Sequence, residues 1–352
     1  MSLPIKNMKA AILVEQKKPL IIDEIQLPDA LYCGQVLVKI SFSGICGSQL
    51  GEIDGVKGPD NYLPHLLGHE ASGHVLETGP GVKRVKAGDH VVLHWMKGAG
   101  IESDPPAYTW QGKRLNAGWI TTFNEYAIIS ENRLTPIPQS VDGKIAALFG
   151  CAVTTGLGVV INNAKLKPGE SIAVLGAGGV GLNVIQGAAL TSAYPIIGVD
   201  IHGNRLALAR EMGATHTLNS NNCNLREEIV KIIDSGGVDV IVDNTGLPEM
   251  IELAYELTGP KGRVVCVGVP HKGNAISIYS LPFHFGKTLT GSHGGETDPT
   301  ENIPRYLKMV EAGLLNLAQL VTDEFPLEKI NGALAGMRRG TVTGRCMISF
   351  KE

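Results

Sequence analysis

The chain has 352 residues, more than one hydrophobic core usually serves, so two domains are expected. Its 31 basic and 34 acidic residues leave a net charge of −3. That excludes the strongly basic surface of a nucleic-acid binder and gives no pull toward an anionic membrane. With 43% hydrophobic and 18% charged residues, the composition is that of an ordinary globular protein, not a disordered one.

The N-terminal stretch Met1 to Ala10 carries two lysines and no long apolar core, so it does not read as a secretory signal. No uninterrupted apolar run reaches the ~18 residues a membrane span needs. Six cysteines are scattered at 33, 46, 151, 223, 266 and 346. Disulfide frameworks are dense in short secreted domains, so these read as reduced thiols in a cytoplasmic protein, some of them ligands.

Short strand-like runs fill the first third: Val36 to Ser41, Gly73 to Glu77, His90 to Leu93 and Glu125 to Ser130. Short strands without long helices between them predict a mostly β, barrel-like domain. The pattern changes near residue 150. Strands at 171–175, 195–200, 239–243 and 263–269 alternate with helices at 180–191, 205–212 and 249–257. Such alternation predicts an α/β domain with a doubly wound parallel sheet. After residue 293 two helices, at 304–312 and 327–338, and a last strand at 345–350 are expected to rejoin the first domain. The expected division is therefore 1–153 with 294–352 against 154–293.

Gly176, Gly178 and Gly181 lie between a strand and a helix, with Gly179 and Val180 completing the turn. The first glycine permits the tight turn, the second lets backbone approach a pyrophosphate, and the third packs helix on strand. The helix N-terminus offers N–H groups and a positive dipole end to the phosphates. Asp200 ends the next strand about 20 residues on, placed to accept from ribose hydroxyls and to repel a 2′-phosphate. The reading is NAD over NADP, softened by the nearby cationic candidates His202 and Arg205.

Three further segments carry soft and borderline metal ligands beside glycine: Gly44-Ile45-Cys46-Gly47-Ser48, Gly68-His69-Glu70 and Gly150-Cys151 running on to Thr154-Thr155-Gly156. Two thiols and an imidazole suit zinc. Their wide spacing proves little by itself, and any one of the three alone reads as structural. No fourth protein ligand is evident, as in catalytic sites that keep a position for water or substrate.

In this order, with the glycine turn and the tail Phe325-Pro326-Leu327-Glu328-Lys329-Ile330-Asn331, the segments resemble the zinc-containing medium-chain dehydrogenases, the alcohol dehydrogenase family, over nearly the whole chain. The resemblance implies a GroES-like catalytic domain built from both chain ends and a Rossmann domain between them. It implies Cys46, His69 and Cys151 as zinc ligands, with Glu70 beside the metal and Ser48 receiving the substrate's proton. It implies Arg205 on the adenosine ribose, Arg345 near the pyrophosphate, and Thr155 and Val269 against the nicotinamide half. Zinc and NAD are the implied cofactors, a primary or secondary alcohol the substrate, and a homodimer or homotetramer the assembly.

The sequence also departs from the family. Residues 94–109 hold no cysteine where many members carry four, so one catalytic zinc and no structural zinc is expected. Gln49 stands where aspartate often holds the ligand histidine, Gly51 where some members carry a relay histidine, and Lys57 where the pocket wall is often apolar. His94, Trp95, Tyr108, Trp110 and Trp119 make the 94–119 stretch aromatic and polar. That fits a wall for a polyol or sugar-like alcohol, or a solvated loop with packing anchors. Two other functions compete with the alcohol dehydrogenase: a zinc-free reductase of the same superfamily, and a non-catalytic protein on the same fold. Cys46, Cys151 and Asp200 argue against the first, and the intact ligand set with Ser48 against the second.

Overall fold

The computed structural model describes residues 3–233 and 236–350. Met1 and Ser2, part of the N-terminal stretch considered above, lie outside the described residues. The chain divides into two compact units, one of Met1–Cys151, Asp298–Gly313 and Leu317–Glu352, the other of Ala152–Thr297 and Leu314–Asn316.

The first unit begins with strands β1 (Asn7–Leu13), β2 (Ile21–Gln26) and β3 (Gln35–Ile45), then the short helix α1 (Gly47–Ile53). Strands β4 (His65–Leu66), β5 (Glu70–Thr78), β6 (His90–His94), β7 (Tyr108–Trp110), β8 (Lys113–Leu115), β9 (Tyr126–Ser130) and β10 (Leu134–Ile137) follow, then helix α2 (Gly143–Leu148). Helix α8 (Pro299–Glu311), strand β17 (Val321–Pro326), helix α9 (Ile330–Arg338) and strand β18 (Arg345–Ser349) complete it. The long apolar run QVLVKISFSGI makes β3 the spine of a seven-stranded sheet, with six strands in the order β10-β6-β5-β3-β18-β17 and β9 as the seventh, off that path against β3. Register shifts at Leu37/Val38 and Ile40/Phe42 bend β3. Its first half pairs with β9 and its last residues with β18, while β5 takes the other edge. A second sheet of order β4-β1-β2-β7-β8 packs its own apolar cluster around Met8, Ile12, Ile25 and Leu37.

The cysteine-free stretch after β6 is held by a carboxylate. Glu131 is 2% exposed. It accepts the N–H groups of Lys83 and Arg84 on one oxygen, at 2.6 and 2.7 Å, and that of Ile101 on the other, at 2.8 Å. Gly98 N–H donates to Asn132 O and Ala99 N–H to Thr300 Oγ1.

The second unit holds α3 (Ala152–Gly158), β11 (Ile172–Leu175), α4 (Gly179–Leu190), β12 (Ile196–Asp200), α5 (Gly203–Glu211), β13 (His216–Asn219), α6 (Leu225–Ile233), β14 (Val238–Asp243), α7 (Pro248–Leu257), β15 (Thr258–Cys266) and β16 (Thr288–Gly291). The six strands run parallel in the order β13-β12-β11-β14-β15-β16. Alternate strand residues face opposite layers. Gly198 meets Ile185 of α4 and Ala209 of α5, whereas Ile197 and Val199 pack with Leu225 and Ile229 of α6 and Ala254 of α7. This is the doubly wound arrangement expected from the alternating pattern. Strand β15 starts earlier than the apolar run at Arg263 suggested. Thr258 pairs with Val238, the exposed Pro260 and Lys261 bulge outward, and pairing resumes at Arg263.

Candidate active site

Cys46 follows directly on β3 and caps α1. Its N–H donates to Gln49 Oε1 at 2.8 Å. Gln49, 1% exposed, sets its side-chain amide against His69 Nδ1 and so ties the first sulfur residue to the imidazole. His69 leaves the turn between β4 and β5, and Cys151 follows α2 through Gly150. A side chain on residue 150 would fall 2.4 Å from Leu93 O and 2.6 Å from Glu70 Cα, so only glycine lets this segment press against β5 and β6. The ligand atoms of Cys46, His69 and Cys151 consequently lie within 4.8 Å of one another. His69 Nε2 is buried and lacks a hydrogen-bond partner among the described residues, as does Ser48 Oγ.

Charge around these atoms is unbalanced. The Cys46 thiol is held well below its ordinary range by a hydrogen bond from Cys151, against the effect of burial, and by the charge of Arg345. Cys151 is pushed well above its ordinary range by that same bond, by burial and by the neighbouring Cys46 and Glu70 charges. Two sulfurs this close, beside a fully buried carboxylate, cannot both ionise without an added cation. Two soft sulfurs and an orphaned imidazole nitrogen are the donor set a zinc ion takes, so the residues present fit zinc.

Glu70 is 0% exposed and Arg345 3%. Arg345 donates from Nη1 to Ile45 O at 3.1 Å and from Nη2 to Glu70 Oε2 at 3.4 Å. Arg345, for which the resemblance implied a place near the pyrophosphate, is the counter-ion of Glu70 within the first unit. Trp95 sets its ring 6.5 Å from that of His69. The other aromatics of the 94–119 stretch serve elsewhere. Tyr108 accepts from Ile128 N–H, Trp110 donates to Asp23, and Trp119 lies under Arg133 and Lys97. Lys57 points to solvent.

In the second unit, Gly176 has φ +89° and makes the tight turn after β11. A side chain on Gly181 would lie 2.0 Å from Gly176 O, so helix α4 can start only on glycine there. Gly178 caps α4, with Gly179 and Val180 in its first turn. Asp200 accepts Ala177 N–H on Oδ2 and His202 N–H on Oδ1, both at 2.9 Å, and Arg205 Nη1 lies 3.7 Å from Oδ2. Thr155, on α3, keeps its hydroxyl buried without a partner among the described residues. Val269, in the loop after β15, is 48% exposed. The sequence reading passed over Asn244, which follows β14 and stands against Gly176 and Gly181. Its signal was an amide directly after the apolar run DVIVD.

Comparison with known proteins agrees with this geometry. Residues 33–139 match the alcohol dehydrogenase GroES-like domain and residues 179–312 the zinc-binding dehydrogenase domain. An S-(hydroxymethyl)glutathione dehydrogenase of Synechocystis sp. is 32% identical over 359 residues, covering 94% of this chain and 97% of its own. The chain belongs to the zinc-containing medium-chain alcohol dehydrogenase family. Alcohol dehydrogenase 1 of Trifolium repens is 29% identical, covering 98% of this chain and 97% of its own. The structure of benzyl alcohol dehydrogenase from Acinetobacter calcoaceticus superposes with a TM-score of 0.88 at 28% identity, covering 99% of this chain and 100% of its own. Membership of the alcohol dehydrogenase family makes the protein an oxidoreductase that works with zinc and a nicotinamide dinucleotide.

Proposed function

We propose that this alcohol dehydrogenase interconverts a primary or secondary alcohol and its aldehyde or ketone, with NAD as hydride partner and one zinc per chain. The observation that carries the reading is the convergence of Cys46, His69 and Cys151, with the Ser48 hydroxyl, two residues after Cys46, buried and unpartnered among the described residues. When bound, zinc acts as a Lewis acid on the substrate oxygen. The protein's own groups do the rest. Gln49 holds His69 with Nε2 toward the sulfurs. Arg345 holds Glu70 beside the ligands. Ser48 Oγ takes the proton of the substrate hydroxyl. With Gly51 in place of a side-chain carrier, that proton leaves through water. Trp95 shields the imidazole side of the site and bounds the space for substrate.

In the second unit, Gly176, Gly178, Gly179, Val180 and Gly181 receive the pyrophosphate, and Thr155 and Val269 the nicotinamide half. The Asp200 carboxylate is fixed by two backbone N–H groups, which supports NAD, since a 2′-phosphate would meet a charge that cannot turn away. Arg205 completes the adenosine side. Strand β16 ends the sheet among the described residues, and the exposed Tyr279 and Phe285 precede it in the chain; both support a homo-oligomer built through this sheet. Six cysteines without a disulfide support a cytoplasmic setting. Among the described residues no helix is long and apolar enough to cross a membrane.

Zinc per chain, measured by elemental analysis on protein purified without added metal, tests the reading. One zinc is expected, lost together with NADH-linked alcohol oxidation in Cys46→Ala and in Cys151→Ala. Metal-free protein with full activity would return the chain to the zinc-free reductases.

A further inference from the structure

Strand order in the second unit reverses between β11 and β14. From β11 the chain continues through β12 and β13 on one side, and later through β14, β15 and β16 on the other. Ligands of such sheets bind in the crevice outside the strand ends at this reversal. Asn244 is the first residue beyond β14 at that point. Its N–H donates to Leu175 O at 2.8 Å, tying it to the end of β11. Its Cβ lies 3.4 Å from where a side chain on Gly176 would begin, and its Nδ2 lies 3.3 Å from the same point on Gly181.

Both polar atoms of the Asn244 side chain are buried without a hydrogen-bond partner among the described residues. Such an arrangement is unfavourable, and a leucine of similar volume would avoid it. The local turn does not need the amide either. Asp243 already accepts Thr245 N–H at 3.1 Å and Gly246 N–H at 2.9 Å. The missing partners are therefore a ligand's. An amide offers a donor and an acceptor side by side. A dinucleotide at the reversal offers the complement, anionic phosphate oxygens and a ribose hydroxyl.

We propose that Asn244 is a cofactor-binding residue that hydrogen-bonds the dinucleotide at its pyrophosphate and the adjoining ribose of the nicotinamide half. This rests on the dinucleotide reading above. The adenosine half lies on the other side of the reversal, toward Asp200, so Asn244 leaves it untouched. The test is calorimetric titration of full-length wild type and Asn244→Leu with NADH, ADP-ribose and AMP, with the melting temperature of each unliganded protein. Expected are about tenfold or more weaker NADH and ADP-ribose binding in the variant, the loss of its two hydrogen bonds to the ligand. AMP binding is unchanged, and the melting temperature is equal or higher. Unchanged NADH affinity overturns the proposal. So does a lowered melting temperature with equal loss for all three ligands, which would make Asn244 a brace for the glycine turn. A wild type that binds none of the three overturns the dinucleotide reading itself, and this inference with it.

Discussion

Among the described aromatic residues of its stretch, Trp95 is the one whose ring lies near His69, a proposed zinc ligand, with ring centroids 6.5 Å apart. A side chain that walls the substrate space decides which alcohol fits without touching the metal. Trp95→Ala should therefore shift the ranking of kcat/KM across a panel of small and bulky alcohols by at least about tenfold, since burying such a ring contributes a few kcal/mol. Zinc content should stay at the wild-type value. An unchanged ranking would remove Trp95 from the substrate wall. At this scale the sequence was legible wherever a residue type announced its chemistry. Cys46, His69 and Cys151 are far apart in the chain, and only the order of their glycine-flanked segments linked them. Asn244 and Glu131 were invisible for the opposite reason. Asparagine and glutamate are common on surfaces, and nothing local tells that Glu131 is buried or that the amide atoms of Asn244 are.

Elements show the same division between pattern and context. The glycine turn, β11, β12, β14 and their helices were readable, because buried parallel strands are continuous apolar runs and the helices between them are long. The hairpin of β1 and β2 was not, because IIDEIQ in β2 mixes charge with apolar residues on a half-exposed edge. Nor did the composition of residues 95–104 reveal what fastens them. Glu131 supplies three backbone N–H groups with their acceptor. Glu131→Ala should lower unfolding free energy by about 3 kcal/mol, the consequence of leaving buried donors unpaired. Denaturant titration would measure it, with zinc content unchanged. A loss below about 0.5 kcal/mol, the range of ordinary surface substitutions, would show that the carboxylate is dispensable.

For the molecule as a whole, acid stability follows from a buried ring. His94 Nδ1 donates to Met96 O at 2.8 Å and Nε2 accepts from Thr135 Oγ1 at 3.0 Å, so the neutral imidazole is fully satisfied. Burial holds its pKa at about 4, against 6.5 when unperturbed. Above pH 6.5 neither the folded nor the unfolded state binds the proton, and the group contributes nothing to pH dependence. Between 6.5 and 4 only the unfolded state binds it, so stability falls as pH falls, by about 3 kcal/mol in all. Unfolding titrations at pH 7, 6 and 5 should show this slope, and His94→Gln should flatten it. An equal slope in the variant would assign the acid sensitivity elsewhere. His90, its pKa also lowered by burial and by the stacked His74, adds in the same direction.

The Glu131 clamp separates two kinds of fragility. On the reading of one zinc per chain, the loop after β6 takes its order from a carboxylate and backbone amides, none of which a chelator can strip or an oxidant can convert. Between that loop and the proposed metal site, such damage then falls on Cys46 and Cys151, silencing catalysis while the loop keeps its outline. On that reading, metal stripped from the protein should leave it folded, and zinc returned to reduced protein should restore activity without a refolding step.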